Sequence, residues 1–212
     1  MLQPILHKLS TQRIVLASGS PRRKQILANI GLKFEVVPST FEENLDESSF
    51  DTPQDYARET ALRKTMEVAS RLDGPQRPDL IIGADTVVAL GNQILEKPNS
   101  TRHAFEILSN LSGKTHMVHT GVVLLTRYHT QESSSDPFKI VQFYESTEVT
   151  FAELSTDVIN GYIDTGEPMD KAGGYGIQAL GGTFVSGIHG DYYNVMGFPL
   201  HHFCKQLVNL YS

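Results

Sequence analysis

What most constrains this chain is the order in which two hydrophobic periods succeed each other. Short β-branched runs alternate with capped helical stretches through the first half, and two long β-rich segments then follow back to back. "RIVLAS" reads as a buried strand; Ser20 then stands as N-cap with Pro21 at N1, and Ile26, Leu27 and Ile30 recur at helical spacing until Gly31 closes the helix. "FEVVPS" returns to strand, Pro53 to about Leu72 predicts a helix, "DLIIGADTVVAL" contains a strand, and "GNQ" is a hairpin turn leading into "ILEKP". A helix over Ser100 to Leu111 places Ala104, Ile107, Leu108 and Leu111 on one face. "HMVHTGVVLLTRY" and "KIVQFYESTEVTFAEL" predict a hairpin with a long loop at 129–137, "HTQESSSDP". "STDVINGYIDTG" is a capped helix ending at Gly166, a glycine-rich stretch follows, and a helix carrying Leu200, Phe203, Cys204, Leu207, Val208 and Tyr211 closes the chain. Alternation followed by a hairpin calls for an α/β fold with a mixed sheet.

The 212 residues show no internal repeat and no linker-like break, which reads as one domain over 1–212, with 40% hydrophobic residues to build its core. A net charge of −6 argues against broad binding to nucleic acid or to an anionic membrane, so any cationic site must be focused. Cys204 has no second cysteine to pair with; packing in the last helix accounts for it, and a reducing compartment fits. With no signal-peptide core and no apolar run near about 18 residues, the expected location is cytoplasmic.

Several charged residues stand where a plain fold would not put them. A helix N-terminus already presents unpaired N–H groups and the positive end of the dipole, so Arg22 and Arg23 in "LASGSPRRKQIL" are unfavourable unless something anionic offsets them. Backbone N–H groups, the Ser18 and Ser20 hydroxyls and two forked guanidiniums would cradle a phosphate. A simple strand-to-helix turn with solvated arginines fits the same residues, because this is not the Gly-x-x-x-x-Gly-Lys phosphate loop. In the helix after Pro53, Ala57, Ala61, Val68 and Leu72 lie within about 60° of one another, and Lys64 falls in their stripe. That lysine either snorkels to water, as Arg71 does, or faces a buried anion-binding cleft.

Asp85, set between β-branched runs in "IIGADTVV", is costly to bury unless paired, hydrogen-bonded or metal-bound; a Gly83-Ala84 bulge would instead leave it exposed. With Gly91-Asn92 as a two-residue turn, Leu90 pairs with Gln93, Ala89 with Ile94, Val88 with Leu95, Val87 with Glu96 and Thr86 with Lys97. Lys97 then sits about 5 Å from the position next to Asp85, and Glu96 points to the other face as an exposed strut. Glu42 and Glu43 read by default as an acidic loop. Acids able to hold a hard cation, beside bases able to gather phosphates, nevertheless form the minimal kit for Mg²⁺-assisted nucleotide hydrolysis. In "TGEPMDKAGGYGIQALGG", Lys171 is a further phosphate contact or a loop residue, and the Gln178 amide has both a donor and an acceptor for a base edge. His116 and His119 are strand residues, and His201-His202 lack the spacing for shared metal ligation, so no zinc site is expected. No serine-hydrolase elbow occurs either.

Taken together, "LASGSPRRKQIL", "EE" after the second strand, "ALRK", "IIGADTVV", "ILEKP", "LSGKTHMVHTGV", "TGEPMDKAGGYGIQALGG" and "NVMGFPL" resemble the Maf family of nucleoside triphosphate pyrophosphatases, in family order from about residue 13 to 210. The likeness is strongest to Maf-like domains fused to a methyltransferase-like domain, which implies that the chain is a module of a longer protein. The resemblance implies two lobes around a twisted mixed sheet, a fold related to inosine triphosphate pyrophosphatases, with the nucleotide in the cleft. It assigns Ser18, Arg22 and Arg23 to the phosphates, Glu43, Lys64, Asp85 and Lys97 to the other catalytic positions, with Asp85 as proton acceptor, and Arg22, Thr86 and Gln178 to base preference. Gly176-Ile177-Gln178 resembles the subgroup acting on dTTP and UTP, with CTP or modified pyrimidine nucleotides as further candidates, rather than the one acting on 7-methyl-GTP. Glu43 and Asp85 would hold Mg²⁺, with Mn²⁺ or Co²⁺ as substitutes, and a homodimer is implied. A nucleotide-sensing or interaction module that binds without turnover is the alternative. The visible departures are the longer loop at 129–137 and Gly174, where relatives often carry alanine.

Overall fold

Among the described residues seven strands, β1 (Ile14–Leu16), β2 (Glu35–Val36), β3 (Leu80–Leu90), β4 (Gln93–Leu95), β5 (Thr115–Thr126), β6 (Lys139–Phe151) and β7 (Val185–His189), form one sheet in the order β2-β1-β3-β5-β6-β7, with β4 paired to β3 off that path. The computed structural model describes residues 1–74, 77–126 and 139–212; the loop expected at 129–137 lies outside them. After the short helix α1 (Leu6–Leu9), a fully buried β1 (Ile14–Leu16) leads into α2 (Pro21–Asn29). The Ser20 hydroxyl accepts from the Arg23 N–H, and Gly31, at φ 78°, follows the helix end, as the sequence predicts. β2 is shorter than "FEVVPS" suggests: only Glu35–Val36 pairs, parallel to β1, and both residues are exposed. Val37 N–H still donates to Leu16 O, but Pro38 has no N–H to continue the ladder.

The spine of the sheet is β3 (Leu80–Leu90). On one edge β1 runs parallel to it through Leu16↔Ile82; on the other, β5 (Thr115–Thr126) runs antiparallel from Leu80 to Ala89. β6 (Lys139–Phe151) pairs with β5 along its length, and β7 (Val185–His189) pairs with β6, so the sheet is mixed as expected. β4 (Gln93–Leu95) returns through Gly91-Asn92 and meets Val88, Ala89 and Leu90 in the predicted register. The ladder then stops, so the expected Val87–Glu96 and Thr86–Lys97 pairs do not form; the Glu96 carbonyl instead accepts from Gly173 N–H.

Those two endings position everything that follows. Along the same edge of β3, β1 ends opposite Ile82 and β4 begins opposite Val88, so among the described residues Gly83 to Val87 has no strand neighbour on that side. Side chains alternate through the gap. Ile81 packs with Val68 and Val87 with Tyr56 and Ala57, so odd positions face α3 (Pro53–Arg71). α3 lies very close: a Cβ at Gly121 would come within 2.5 Å of Arg58 Cα, and one at Gly83 would collide with the Thr65 hydroxyl. Even positions Leu80, Ile82 and Ala84 join a core with Ile26 and Leu27 of α2 and with Phe203 and Leu207 of the last helix. A second core gathers Val88, Val118 and Val149 with α4 (Thr101–Leu111) and α5 (Thr156–Asp164). The turn helix α6 (Tyr192–Val195) and α7 (Leu200–Tyr211) complete the chain, and Cys204 is buried in the α7 core as its spacing predicts. No helix among the described residues is long and apolar enough to cross a membrane.

Candidate active site

The gap in β3 opens into a cleft of about 360 Å³, a size suited to a small ligand. Its lining contains five cations, Arg22, Arg23, Lys64, Lys97 and Lys171, against three carboxylates, Glu43, Asp85 and Asp170. Positive charge is thus focused in a chain whose net charge is −6. Such a surplus in a concave site attracts anions.

Lys64 organises one end. It projects from the α3 stripe, and its Nζ lies 2.7 Å from Asp85 Oδ1 and 2.8 Å from Glu43 Oε1, with the side chain only 13% exposed. The side chain therefore ends on acids inside the cleft instead of snorkelling outward. Two carboxylates converge on one ammonium, and its charge cancels the repulsion they would otherwise feel. Burial pushes the Glu43 carboxyl up, but the hydrogen bond and charge of Lys64, aided by Lys97 and Arg23, outweigh it and hold the group below its ordinary value. Glu42 and Glu43 are both exposed, but only Glu43 lines the cleft. Asp85, 7% exposed, is buried and paired rather than turned out on a bulge.

Arg22 and Arg23 part company, as adjacent helix residues about 100° apart must. Arg23 is 9% exposed; its Nε donates to Gly197 O at 2.9 Å, Nη1 to Ser18 Oγ at 3.0 Å and Nη2 to Thr86 Oγ1 at 3.0 Å. Thr86 Oγ1 is itself 2.9 Å from Thr120 Oγ1. The guanidinium plane is fixed by three protein acceptors and keeps further N–H groups for a ligand. Burial lowers its pKa from the ordinary value, Asp85 opposes that shift and Arg22 adds to it. Arg22 is half-buried in the cleft wall. Across from it, Asp170 is held below its ordinary value, first by a hydrogen bond from Lys171 and then, against burial, by the charges of Lys171 and Arg22.

Of the residues expected at the site, Ser18, Arg22, Arg23, Glu43, Lys64, Asp85, Thr86 and Lys97 all line this cleft. Lys97 does so from an exposed position beyond the broken ladder. Gln178 is not brought in: it is exposed, one residue past the lining pair Gly176-Ile177. Lys171 lines the cleft with its Nζ bonded at 2.6 Å to both Glu167 O and Asp170 Oδ1. The Gly197 carbonyl, Asp170 and Tyr175 carry no distinctive signal in the sequence. His116 and His119 are buried strand residues; His116 Nε2 is 2.8 Å from Tyr175 OH, and burial lowers its pKa to about 4.

Among the described residues no group of three or more His, Cys, Asp or Glu suited to a metal is present. The convergent Glu43 and Asp85 oxygens nonetheless already face a cation in Lys64, and they fit an ion such as Mg²⁺, which takes one or two carboxylates and completes its shell with substrate phosphates.

A family model described as Maf-like protein matches residues 13–210. A human "Probable bifunctional dTTP/UTP pyrophosphatase/methyltransferase protein" is 54% identical over 213 residues, covering 100% of this chain and 34% of that protein, so the chain spans about a third of that relative's length. The dTTP/UTP pyrophosphatase of Clostridium perfringens is 46% identical over 93% of this chain and 96% of its own, and that of Bacillus cereus 43% over 92% and 89%. Among solved structures, the Staphylococcus aureus Ham1 protein aligns at TM-score 0.36 and 15% identity, over 67% of this chain and 73% of that one.

Proposed function

The chain belongs to the Maf-like protein family, and on that premise we propose that it hydrolyses nucleoside triphosphates, dTTP and UTP foremost, to nucleoside monophosphate and pyrophosphate. The observation that carries this reading is the convergence in one cleft of the locked Arg23 fork with a lysine bridging two carboxylates. Water attacks the α-phosphorus, the bond to the α–β bridging oxygen breaks, and pyrophosphate leaves with the electron pair. Arg22, Arg23, Lys64 and Lys97 neutralise charge that develops on the phosphate oxygens, where fixed donors in a cleft act without reorganisation. Lys64 also holds the Asp85 carboxylate in place, either to take the proton from the attacking water or to share a metal with Glu43. When bound, Mg²⁺, or Mn²⁺ or Co²⁺ in its place, supplies charge neutralisation and polarises phosphate oxygens.

For the base, Thr86 and Arg22 in the cleft wall, joined by Gln178 turning in from its exposed position beside Ile177 when the ligand binds, read the N3–H and O4 edge of uracil or thymine; an amide accepts from the first and donates to the second. From the family's properties we further infer a homodimer, a cytoplasmic location and a role in cleansing the nucleotide pool, with a methyltransferase-like domain as neighbour in the longer protein. A panel of natural and modified nucleoside triphosphates with Mg²⁺, assayed for pyrophosphate, tests the activity. Release from dTTP and UTP ahead of CTP and GTP is expected; tight binding with no release would make the chain a nucleotide-sensing module.

A further inference from the structure

Beyond the cleft wall, Tyr162 on α5 and Glu167 in the turn that follows it are tied to each other and to the loop 176–181. Tyr162 OH donates to Glu167 Oε1 at 2.9 Å and accepts from Gly176 N–H at 3.3 Å. Glu167 Oε1 also accepts from Gly181 N–H at 3.1 Å, and Oε2 from Leu180 N–H at 3.2 Å. Both ends of the loop are therefore fastened to two touching side chains. The fit leaves no slack: a Cβ on Gly181 would come within 2.7 Å of Tyr162 OH and 2.9 Å of Gly176 N, and one on Gly182 would collide with Ile177 O. Tyr162 is 5% exposed and packs edge-on against Phe184; burial and Glu167 push its phenol well above the ordinary range, so the hydroxyl keeps its proton for the bond. Neither Tyr162 nor Glu167 lines the cleft, whereas Gly176 and Ile177 do, and the next residue is Gln178.

Resting on the pyrophosphatase reading, we infer that Glu167 and Tyr162 are positioning residues: they set the pose of the 176–181 loop and through it the selectivity of the cleft for a pyrimidine over a purine base. Backbone N–H groups in a loop without a ladder need acceptors, and a carboxylate with two oxygens is the side chain best able to gather several. Support of this kind behind a binding loop fixes geometry without touching the ligand.

The test measures binding of uncleavable α,β-methylene analogues of dTTP and GTP, so that it does not depend on turnover, together with kcat/KM for dTTP and GTP. Glu167→Ala should narrow the dTTP-over-GTP binding ratio by about ten-fold, the size expected when a polar pairing is misplaced, and leave kcat for GTP within about two-fold. Amide exchange at Gly176, Leu180 and Gly181 should accelerate. Glu167→Gln keeps an Oε1 acceptor and should recover most of the ratio; Tyr162→Phe keeps the ring packing and should show an intermediate loss. Faster exchange with an unchanged binding ratio in all three variants would overturn the inference and leave a purely structural clasp. A parent that releases no pyrophosphate, while Glu167→Ala still narrows the binding ratio, would overturn the hydrolysis reading and uphold the clasp.

Discussion

At one end of the cleft, Lys64, Asp85 and Arg23 are held by side-chain bonds on a 19-residue helix, an 11-residue strand and a capped helix start. At the other end, Gly176 to Gly181 is a loop held by its own N–H groups to two side chains behind it. The first arrangement fixes charges; the second fixes a backbone path. On the proposed reading, the phosphates common to every nucleoside triphosphate are met by the charges, whereas the base, which differs from nucleotide to nucleotide, meets the part of the cleft whose shape a few loop bonds decide. Substitutions at the first end should therefore lower all rates together, and those at the second should reorder substrates.

The sharpest break in that division comes from Asp85→Asn. It keeps size and removes charge, so turnover of dTTP, UTP, CTP and GTP should all fall by roughly 10²- to 10⁴-fold, the range for losing a proton acceptor, with the fold intact by circular dichroism. Metal binding followed by calorimetry then separates the roles: retained binding identifies a base, lost binding a ligand. Next is Arg23→Lys. A lysine cannot span Gly197 O, Ser18 Oγ and Thr86 Oγ1 with a planar fork; we expect a loss on the order of 10²-fold in kcat/KM, again without change of ranking. Gln178→Glu acts at the loop end. Its ionised carboxylate can no longer donate to O4, and dTTP and UTP should lose about five-fold against CTP, the size of one lost hydrogen bond. An unchanged ranking of the four nucleotides would show that Gln178 does not read the base.

The smallest effect on rate belongs to His116, a buried strand residue bonded to Tyr175 of the cleft lining. Its folded pKa is depressed to about 4 by burial, below the ordinary unfolded value of about 6.5. The unfolded chain thus binds this proton first. The stability it contributes is full above about pH 6.5 and is lost as pH falls toward about 4. Thermal melts between those limits should show a declining midpoint, flattened in His116→Phe, and the ring resonances of His116 should not titrate near neutrality.

Much of the charged end was legible in the sequence because its residues break local rules. A lysine in an apolar helix stripe, an aspartate between β-branched runs and two arginines at a helix N-terminus each announce a cost that something must offset. The Gly91-Asn92 turn fixed three cross-strand pairs, and Lys97, two residues beyond them, lines the same cleft as Asp85. The cleft itself was not legible: it exists because β1 ends at Leu16 and because the Glu96 carbonyl is taken by Gly173, and both depend on contacts distant in sequence. β2 shrank to two residues for the local reason that Pro38 cannot donate. The loop end was the least legible. Its ties are backbone N–H groups, which every residue carries, and Tyr162 and Glu167 sit in "GYIDTGEP" with nothing to mark them as partners. Gln178, by contrast, stood out by its donor and acceptor pattern yet is exposed at the rim, since the pose of a loop is set by what holds it from behind.

Attack by water on the α-phosphorus of a bound pyrimidine triphosphate can be followed by hydrolysing dTTP with Mg²⁺ in heavy-oxygen water and weighing the products. The expected result is dTMP and pyrophosphate in equal amounts, with the heavy oxygen in dTMP alone. Label in pyrophosphate, or dTDP and inorganic phosphate as products, would place the attack elsewhere and overturn the assignment of Arg23, Lys64 and Asp85 around the α-phosphate.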